Sequence, residues 1–188
     1  MKKYLFLIVI SVFIIPFSVF AQKNEIHFNS INAFAAVGGQ SEVNTAFQTV
    51  NGIQFSNWFT GIGVGVDNYV YKTLPLFFDA RRFFGNEKRG FVYGDIGYDF
   101  PLKNKPGKEI FQFDTYDFTG GIYTDIGMGY QFPIYKRSFF VFSVGYSYKK
   151  LKNKIGTTIC PFVGPCVVDY SNYEFSYGRM ILKAGLIF

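Results

Sequence analysis

Alternation is the feature that most constrains how this 188-residue chain can fold. In several runs every second residue is apolar and the residues between are mostly small or polar, which is the period of a β-strand. Five regular runs cover 60–67, 90–100, 120–132, 139–149 and 178–188. Three less regular runs cover 31–39, 46–56 and 75–84. The sequence therefore predicts an all-β chain of eight strands.

Hydropathy narrows the class of β protein. The chain is 49% hydrophobic with a mean hydropathy of +0.13, yet after residue 21 no apolar run approaches the roughly 20 residues that a membrane helix needs. A bundle of membrane helices is therefore excluded. A closed barrel carries its apolar residues in alternation rather than in runs, so the two alternatives are a soluble secreted β protein and a membrane barrel.

The first segment predicts export. Lys2 and Lys3 precede an apolar core at 4–18, and small residues follow it, which is the pattern of a cleaved secretory signal. The core is short for the alternative, an uncleaved anchor helix. We expect a signal peptide at residues 1–21 and a single barrel domain at 22–188.

The two faces of the strands favour the membrane barrel. One face is nearly uncharged and carries aromatic residues toward its ends, such as Tyr130, Phe132 and Tyr148, as in the aromatic girdles of outer-membrane barrels. A soluble barrel would need charges on that face. Short connections alternate with long ones, at about 101–117 and 150–173, which is also typical of such barrels. The predicted fold is an eight-stranded antiparallel up-and-down transmembrane β-barrel.

The other face carries paired charges. If residues 85–90 form a hairpin turn, Asp79 lies opposite Asp95 and Arg81 lies on the diagonal to Asp95. A catalytic carboxylate pair or an ion path is the functional alternative, but each acid has a cation within reach, which favours a structural network of salt bridges in the lumen. The predicted members are Asp79, Arg81, Asp95, Asp125, Arg179 and Lys183.

Two cysteines close the short segment CPFVGPC, at Cys160 and Cys166. In an exported chain such a close pair can oxidise, so we expect a disulfide, with two free thiols as the alternative. The only histidine, His27, is distant in sequence. We therefore expect no metal site and no cofactor.

Three strings, FQTVNGIQFSNWFTGIGVGVD, LPLFFDARRFF and the terminal LKAGLIF, resemble the small outer-membrane β-barrel proteins related to the OmpA and OmpX transmembrane domains. The resemblance implies the outer membrane of a Gram-negative cell and a stand-alone barrel surrounded by outer-membrane lipid. It also implies a terminal strand that the barrel assembly machinery reads, and Leu186 and Phe188 match that signal.

We expect a structural or surface-interaction role through the extracellular loops, without catalysis. Basic residues in these loops could contact lipopolysaccharide phosphates or another acidic surface, although ordinary solvated charge is the simpler interpretation. Alternation at 111–118 suggests that the fifth and sixth strands protrude and offer an edge for strand addition. The basic loop residues are Lys103, Lys105, Lys108, Lys149, Lys150, Lys152 and Lys154.

Two other functions are weaker. A lipid-modifying barrel enzyme needs a histidine beside a serine and an acid, whereas His27 belongs near the periplasmic end. A narrow conduit for small apolar molecules could open sideways where the Gly-rich third strand meets Pro75, although wall glycines more often make room for large neighbours. No nucleic-acid-binding module is visible, and a closed barrel needs no second copy, so we expect a monomer.

Overall fold

The fold is described from a computed structural model. It describes residues 26–39, 43–68, 72–85, 87–102, 114–159, 164 and 166–188. The expected signal peptide at 1–21 lies outside these ranges and stays a prediction.

The described residues form nine β-strands. These are β1 (Ile26–Gly38), β2 (Val43–Phe55), β3 (Trp58–Asn68), β4 (Lys72–Phe84), β5 (Gly90–Pro101), β6 (Asp114–Thr119), β7 (Gly121–Tyr135), β8 (Ser138–Ile159) and β9 (Val167–Ile187). Within these ranges, no helix is long and apolar enough to cross a membrane.

Eight of the strands close into a ring. Each of β1 to β5 and β7 to β9 pairs antiparallel with two neighbours, and β9 returns to β1. At the closure, Ser30 and Phe188 exchange two backbone hydrogen bonds of 3.0 Å. Only β6 lies outside the ring, where it pairs with β8. The predicted eight-stranded antiparallel up-and-down barrel is confirmed.

The ring is strongly staggered. Partner positions run once around it from Phe28 through Ile53, Thr60, Ala80, Gly94, Ile126, Tyr146 and Met180 to Gly38. The path therefore returns to β1 ten residues beyond its start. With about 3.3 Å per residue along a strand and about 4.8 Å between strands, this stagger tilts the strands by about 40°. An eight-stranded barrel has an interior that side chains just fill.

Alternation sorts the side chains into two environments. Outward residues stay exposed, for example Ile62 at 65% and Ile126 at 67%, whereas the inward Phe91 has no exposed surface. Charged side chains on the outer wall stand at its ends, with Lys72 and Arg82 at opposite ends of β4. Such a continuous apolar belt is unfavourable in water and matches the hydrocarbon of a bilayer.

Short turns mark one end of the barrel. Two-residue turns join β2 to β3 at Ser56–Asn57 and β7 to β8 at Lys136–Arg137, and their first residues have φ of 54° and 39°. His27 pairs with Gln54 close to the first of these turns, so it lies at the short-turn end, as expected from the sequence. In outer-membrane barrels this end is periplasmic.

The predicted loop at 150–173 is wrong over most of its length. β8 and β9 remain paired for ten further positions, from Lys150↔Ser176 to Ile159↔Val167. We call this paired segment, together with β6, the extension. On β8 the outward residues after Tyr148 are the charged Lys150 and Lys152, because a strand beyond the bilayer meets water instead of lipid, and the sequence therefore reads as a loop.

A β-bulge joins the extension to the wall. Thr119 pairs with Lys152 and Tyr123 pairs with Lys149, so three residues on one strand face two on the other. Gly120 and Gly121 stand at this point, and a Cβ on either would collide with the backbone of a neighbouring strand. The bulge ends β6 and begins β7. The protruding element thus contains β6, β8 and β9, and not the predicted fifth and sixth strands alone.

A closed ring predicts heat-modifiable migration. Protein isolated in the outer-membrane fraction should migrate differently in SDS before and after boiling, because the paired ring resists SDS until it is heated. Urea-denatured protein loaded without boiling is the control and should match the boiled sample. A soluble periplasmic protein with a single migration would contradict the membrane barrel.

Candidate functional site

Three carboxylates stand side by side halfway along the lumen. Asp79 of β4 pairs with Asp95 of β5, which pairs with Asp125 of β7, so the three occupy one row across adjacent strands. All are buried. The pairing of Asp79 with Asp95 is the register that the hairpin turn predicts. Three adjacent buried carboxylates repel one another unless cations lie between them.

Two cations lie among the three carboxylates. The Arg81 Nε lies 3.0 Å from both carboxylate oxygens of Asp79, and a second guanidinium nitrogen lies 2.8 Å from one of them. Lys183 reaches from β9 to Asp95 at 3.2 Å and Asp125 at 2.7 Å. Arg81 thus forms its salt bridge within its own strand and not with Asp95 on the diagonal. Arg81 can reach Asp79 because residues two apart on a strand share a face. Asp95 is paired with Lys183 instead.

Aromatic rings surround these cations. The Arg81 guanidinium lies 5.4 Å from the centre of the Phe91 ring, and the Lys183 ammonium lies 4.4 Å from that of Tyr93. The Tyr93 hydroxyl donates a hydrogen bond of 3.1 Å to Asp125. Cation–π contacts strengthen when they are desolvated, so the rings partly replace the water that the charges lose.

A second ionic cluster lies nearer the long-connection end. Lys149 of β8 forms salt bridges with Asp67 of β3 and, at 3.1 Å, with Asp99 of β5, while the Thr73 hydroxyl donates a 2.7 Å hydrogen bond to Asp67. The sequence interpretation placed Lys149 among the loop lysines and missed this role. The alternation along β8 could have revealed this inward position, since Lys149 shares a face with Ser143, Gly145 and Ser147.

Arg179 lies apart from the Lys183 cluster. It is four residues from Lys183 on β9, half-buried, with its guanidinium against Gly39, which directly follows β1. A Cβ at Gly39 would stand 2.7 Å from the Arg179 Nε. The structure therefore brings together Asp79, Arg81, Asp95, Asp125 and Lys183, and leaves Arg179 higher on the wall.

The lumen is closed below the charges. An apolar layer at the short-turn end contains Ile31, Val50, Phe59, Phe83, Phe91, Val141 and Ile187. Between this layer and Lys183 is a cavity of about 10 Å³, which is room for about one water. Among the described residues, the lumen therefore contains side chains rather than an open channel.

The remaining predicted residues lie at the ends of the barrel. Leu186 and Phe188 face outward, and the backbone of Phe188 completes the pairing with β1. Cys160 lies outside the described residues, so the expected disulfide between Cys160 and Cys166 stays a prediction. Lys103, Lys105 and Lys108 also lie outside them. In the part of the chain that the structure describes, no group of three or more His, Cys, Asp or Glu side chains is arranged to hold a metal ion.

Solved structures of other proteins share this architecture. The chain is similar to the outer membrane protein AlkL, solved by solid-state NMR in DMPC bilayers, with a TM-score of 0.50, 13% identity and coverage of 89% of this chain and 92% of AlkL. The protein has the fold of the small outer-membrane β-barrels. Its apolar belt matches the hydrocarbon of a bilayer, as expected for a barrel of the outer membrane. The predicted resemblance is confirmed for the fold, and closer kinship to OmpA or OmpX stays a prediction.

A second solved structure and two sequence comparisons complete this result. The outer membrane protein OprG from Pseudomonas aeruginosa matches with a TM-score of 0.45, 14% identity and coverage of 85% of this chain and 94% of OprG. No family model and no curated protein matches the sequence.

The lumen geometry predicts an asymmetric cost of mutation. Arg81→Met alone should lower the free energy of unfolding by about 3–5 kcal/mol, because it leaves Asp79 as an unpaired buried charge. The double variant Asp79→Asn with Arg81→Met should lose less, since neither residue of this pair then carries a buried charge. Urea unfolding in phospholipid vesicles, followed by the fluorescence of the single tryptophan, Trp58, measures both.

Arg137→Met is the matched control, since Arg137 is exposed in a turn, and it should change the unfolding free energy by no more than about 0.5 kcal/mol. Asp79→Asn is measured as a second single variant. If the double variant loses as much unfolding free energy as Arg81→Met and Asp79→Asn added together, Asp79 and Arg81 are not coupled.

Proposed function

We propose that the protein is a membrane anchor that presents the extension at the cell surface, where the extension contacts other molecules. The carrying observation is the ten pairs of β8 and β9 beyond the ends of their neighbours, with β6 as a third strand. A barrel that only sealed a membrane would not need a paired sheet outside the bilayer. The lumen is occupied by side chains that pair with one another, so the exposed extension is the better candidate for interaction.

One side of the extension carries a basic group above the belt. Lys150 and Lys152 of β8 lie 2.6 Å and 3.1 Å from the carboxylate of Glu174 on β9. Hydrogen bonds from these two ammoniums hold the pKa of Glu174 below its usual range. The carboxylate is therefore ionised at neutral pH, and the three side chains together carry one net positive charge.

The same group stands next to the aromatic edge of the belt. Tyr146 and Tyr148 face outward on β8, and Lys150 and Lys152 continue that parity past the end of the wall. Tyrosine is typical of the membrane interface, so the two ammoniums stand at the height of the headgroups in the outer leaflet. Phosphate groups of lipopolysaccharide are the anionic partner that fits this position.

Opposite changes in charge test this partner. The double variant Lys150→Gln, Lys152→Gln should weaken binding to lipopolysaccharide on the order of tenfold, since each lysine near an anionic surface contributes about 1 kcal/mol. Glu174→Gln should strengthen binding, because it releases both ammoniums. Binding of the refolded barrel in nanodiscs is measured against vesicles containing lipopolysaccharide, with dephosphorylated lipopolysaccharide as the reference.

Lys136→Gln is the control variant, because Lys136 is exposed at the opposite end of the barrel. It should bind like the unaltered protein. If dephosphorylation or the lysine substitutions leave the affinity unchanged, the extension does not recognise phosphate and this partner is excluded.

A conduit for small apolar molecules is the second candidate, and one observation favours it. Between β3 and β4 the register passes from Val64↔Leu76 to Asp67↔Thr73 without pairing the residues between them. Pro75 lies in this gap and has no N–H to donate. Just above it, Lys149 and Asp67 fill the lumen, so a molecule entering from outside would have to leave sideways here.

The glycines of β3 do not favour opening of this wall. A Cβ at Gly63 would collide with the ring of Phe77, so Gly63 makes room for a buried ring rather than loosening the wall. On the inner side of β9, stacked rings connect Tyr173, Phe175 and Tyr177 at 6.4 and 6.3 Å. They form an apolar surface leading toward the mouth of the barrel, which the conduit hypothesis would use.

A crosslink across the gap distinguishes the two functions. In a Cys160→Ser, Cys166→Ser background, the pair Val66→Cys and Leu74→Cys is oxidised to close the gap. The conduit hypothesis predicts slower entry of N-phenyl-1-naphthylamine into cells, restored by reduction. Phe34→Cys with Phe47→Cys, partners on the intact β1–β2 ladder, is the control and should not respond. If dye entry is the same for the gap pair and the control pair, each oxidised and reduced, the conduit is excluded.

We also propose that the barrel is monomeric and non-catalytic. Ring closure gives every wall strand a hydrogen-bonded neighbour on both sides, so no second copy is needed to pair an open edge. His27, the only histidine of the chain, lies at the short-turn end, whereas lipid-modifying barrels act near the outer surface. Recognition of Leu186 and Phe188 by the barrel assembly machinery remains part of the proposal, supported by their position in the strand that closes the ring.

A further inference from the structure

A groove of about 390 Å³ opens on the outer wall at the short-turn end. Phe84, Gly90 and Tyr130 occupy one row across β4, β5 and β7. The ring of Phe84 lies over Gly90, where a Cβ would collide with it, and the exposed Tyr130, Glu87 and Arg89 line the same groove. The groove thus combines aromatic walls at the edge of the belt with one anionic and one cationic group.

The groove is held in shape by hydrogen bonds behind it. The side-chain amide of Gln131 donates to the carbonyl of Lys88 at 2.8 Å, and its backbone N–H donates to that of Arg89, also at 2.8 Å. Lys88 donates in turn to the carbonyl of Ser56 at 3.0 Å. These contacts tie the β4–β5 turn to β7 and to the neighbouring turn. A preformed groove reduces the entropic cost of binding a ligand.

The charges in the groove select a zwitterion. Glu87 and Arg89 form a salt bridge with each other, and both line the groove beside Tyr130. A ligand in which two carbons separate a phosphate from an ammonium can pair with both side chains at once, phosphate to Arg89 and ammonium to Glu87. A singly anionic headgroup would be attracted by Arg89 and repelled by Glu87.

We propose that this groove binds a glycerophospholipid with a phosphoethanolamine headgroup from the periplasmic leaflet. The acyl chains lie along the apolar belt beside Phe84 and Tyr130. The ammonium of ethanolamine donates hydrogen bonds to Glu87, which the trimethylated ammonium of choline cannot do. The site is separate from the extension, which lies at the opposite end of the barrel.

Native mass spectrometry of the refolded full barrel tests the proposal with three probes of equal chain length, dioleoyl-phosphatidylethanolamine, -phosphatidylcholine and -phosphatidylglycerol. The ethanolamine lipid should be retained about fivefold more than either of the others, the preference expected from one additional charge-assisted hydrogen bond. Arg89→Gln should lower retention of all three lipids. Glu87→Gln should abolish the preference for ethanolamine over glycerol.

Arg82→Gln is the matched control. Arg82 is an exposed arginine at the same end that lies over the Trp58 ring, 5.5 Å from its centre, outside the groove. Its substitution should leave the lipid preference unchanged. All variants are first checked for the heat-dependent gel shift, so that only folded barrels are compared. Equal retention of the three lipids, or an equal loss in Arg82→Gln and Arg89→Gln, overturns the proposal.

Discussion

Pairing between β1 and β9 is the constraint on which the rest of the structure depends. It converts a sheet with two open edges into a ring, and in hydrocarbon an open edge would leave backbone groups without partners. Residues Ile31 to Gly38 of β1 meet Ile187 to Met180 of β9, and the bonds between Ser30 and Phe188 complete this closure at the short-turn end. Once the ring has closed, its stagger determines the width of the lumen and therefore what the inward residues must be.

The narrow lumen explains why its charges occur as clusters. Inward glycines such as Gly63 leave space that a neighbouring large residue, here Phe77, fills. Both inward lysines lie between carboxylates from other strands, Lys183 between Asp95 and Asp125 and Lys149 between Asp67 and Asp99. Replacing such ion pairs with apolar residues is often neutral or stabilising in other proteins. Their contribution here is better understood as fixing the register in which the strands pair, because each cluster connects strands that are distant in sequence.

Parity in the sequence was sufficient to predict the wall and the inward position of the charges. A strand has a period of two, so Asp79, Asp95, Asp125 and Lys183 could be assigned to one face from their spacing alone. Their partners could not be read in the same way. Whether Arg81 meets Asp79 or Asp95, and whether Lys149 meets Asp67, depends on rotamer and on the stagger of the ring, which sequence spacing does not contain.

The sequence interpretation missed the continuation of β8 and β9 beyond the wall, and the physical reason is different. Inside a bilayer, the contrast between lipid and lumen imposes alternation, but beyond the bilayer both sides of a strand meet water and the contrast disappears. Lys150 and Lys152 of β8 share a face with the lipid-facing Tyr148, and only their height on the barrel changes their environment. The apolar outward face of β8 therefore ends at the membrane surface although the strand continues.

The two ends of the barrel use this change of environment in different ways. At the long-connection end, strands continue and place Lys150, Lys152 and Glu174 in a row above the belt. At the short-turn end, the chain reverses and places Glu87 and Arg89 beside Phe84 and Tyr130. The wall between them must remain apolar and each buried charge in the lumen needs a partner, so neither accepts an unpaired charge without cost to folding. Chemistry that recognises other molecules is therefore confined to the two rims, where charged side chains can approach the membrane without entering it.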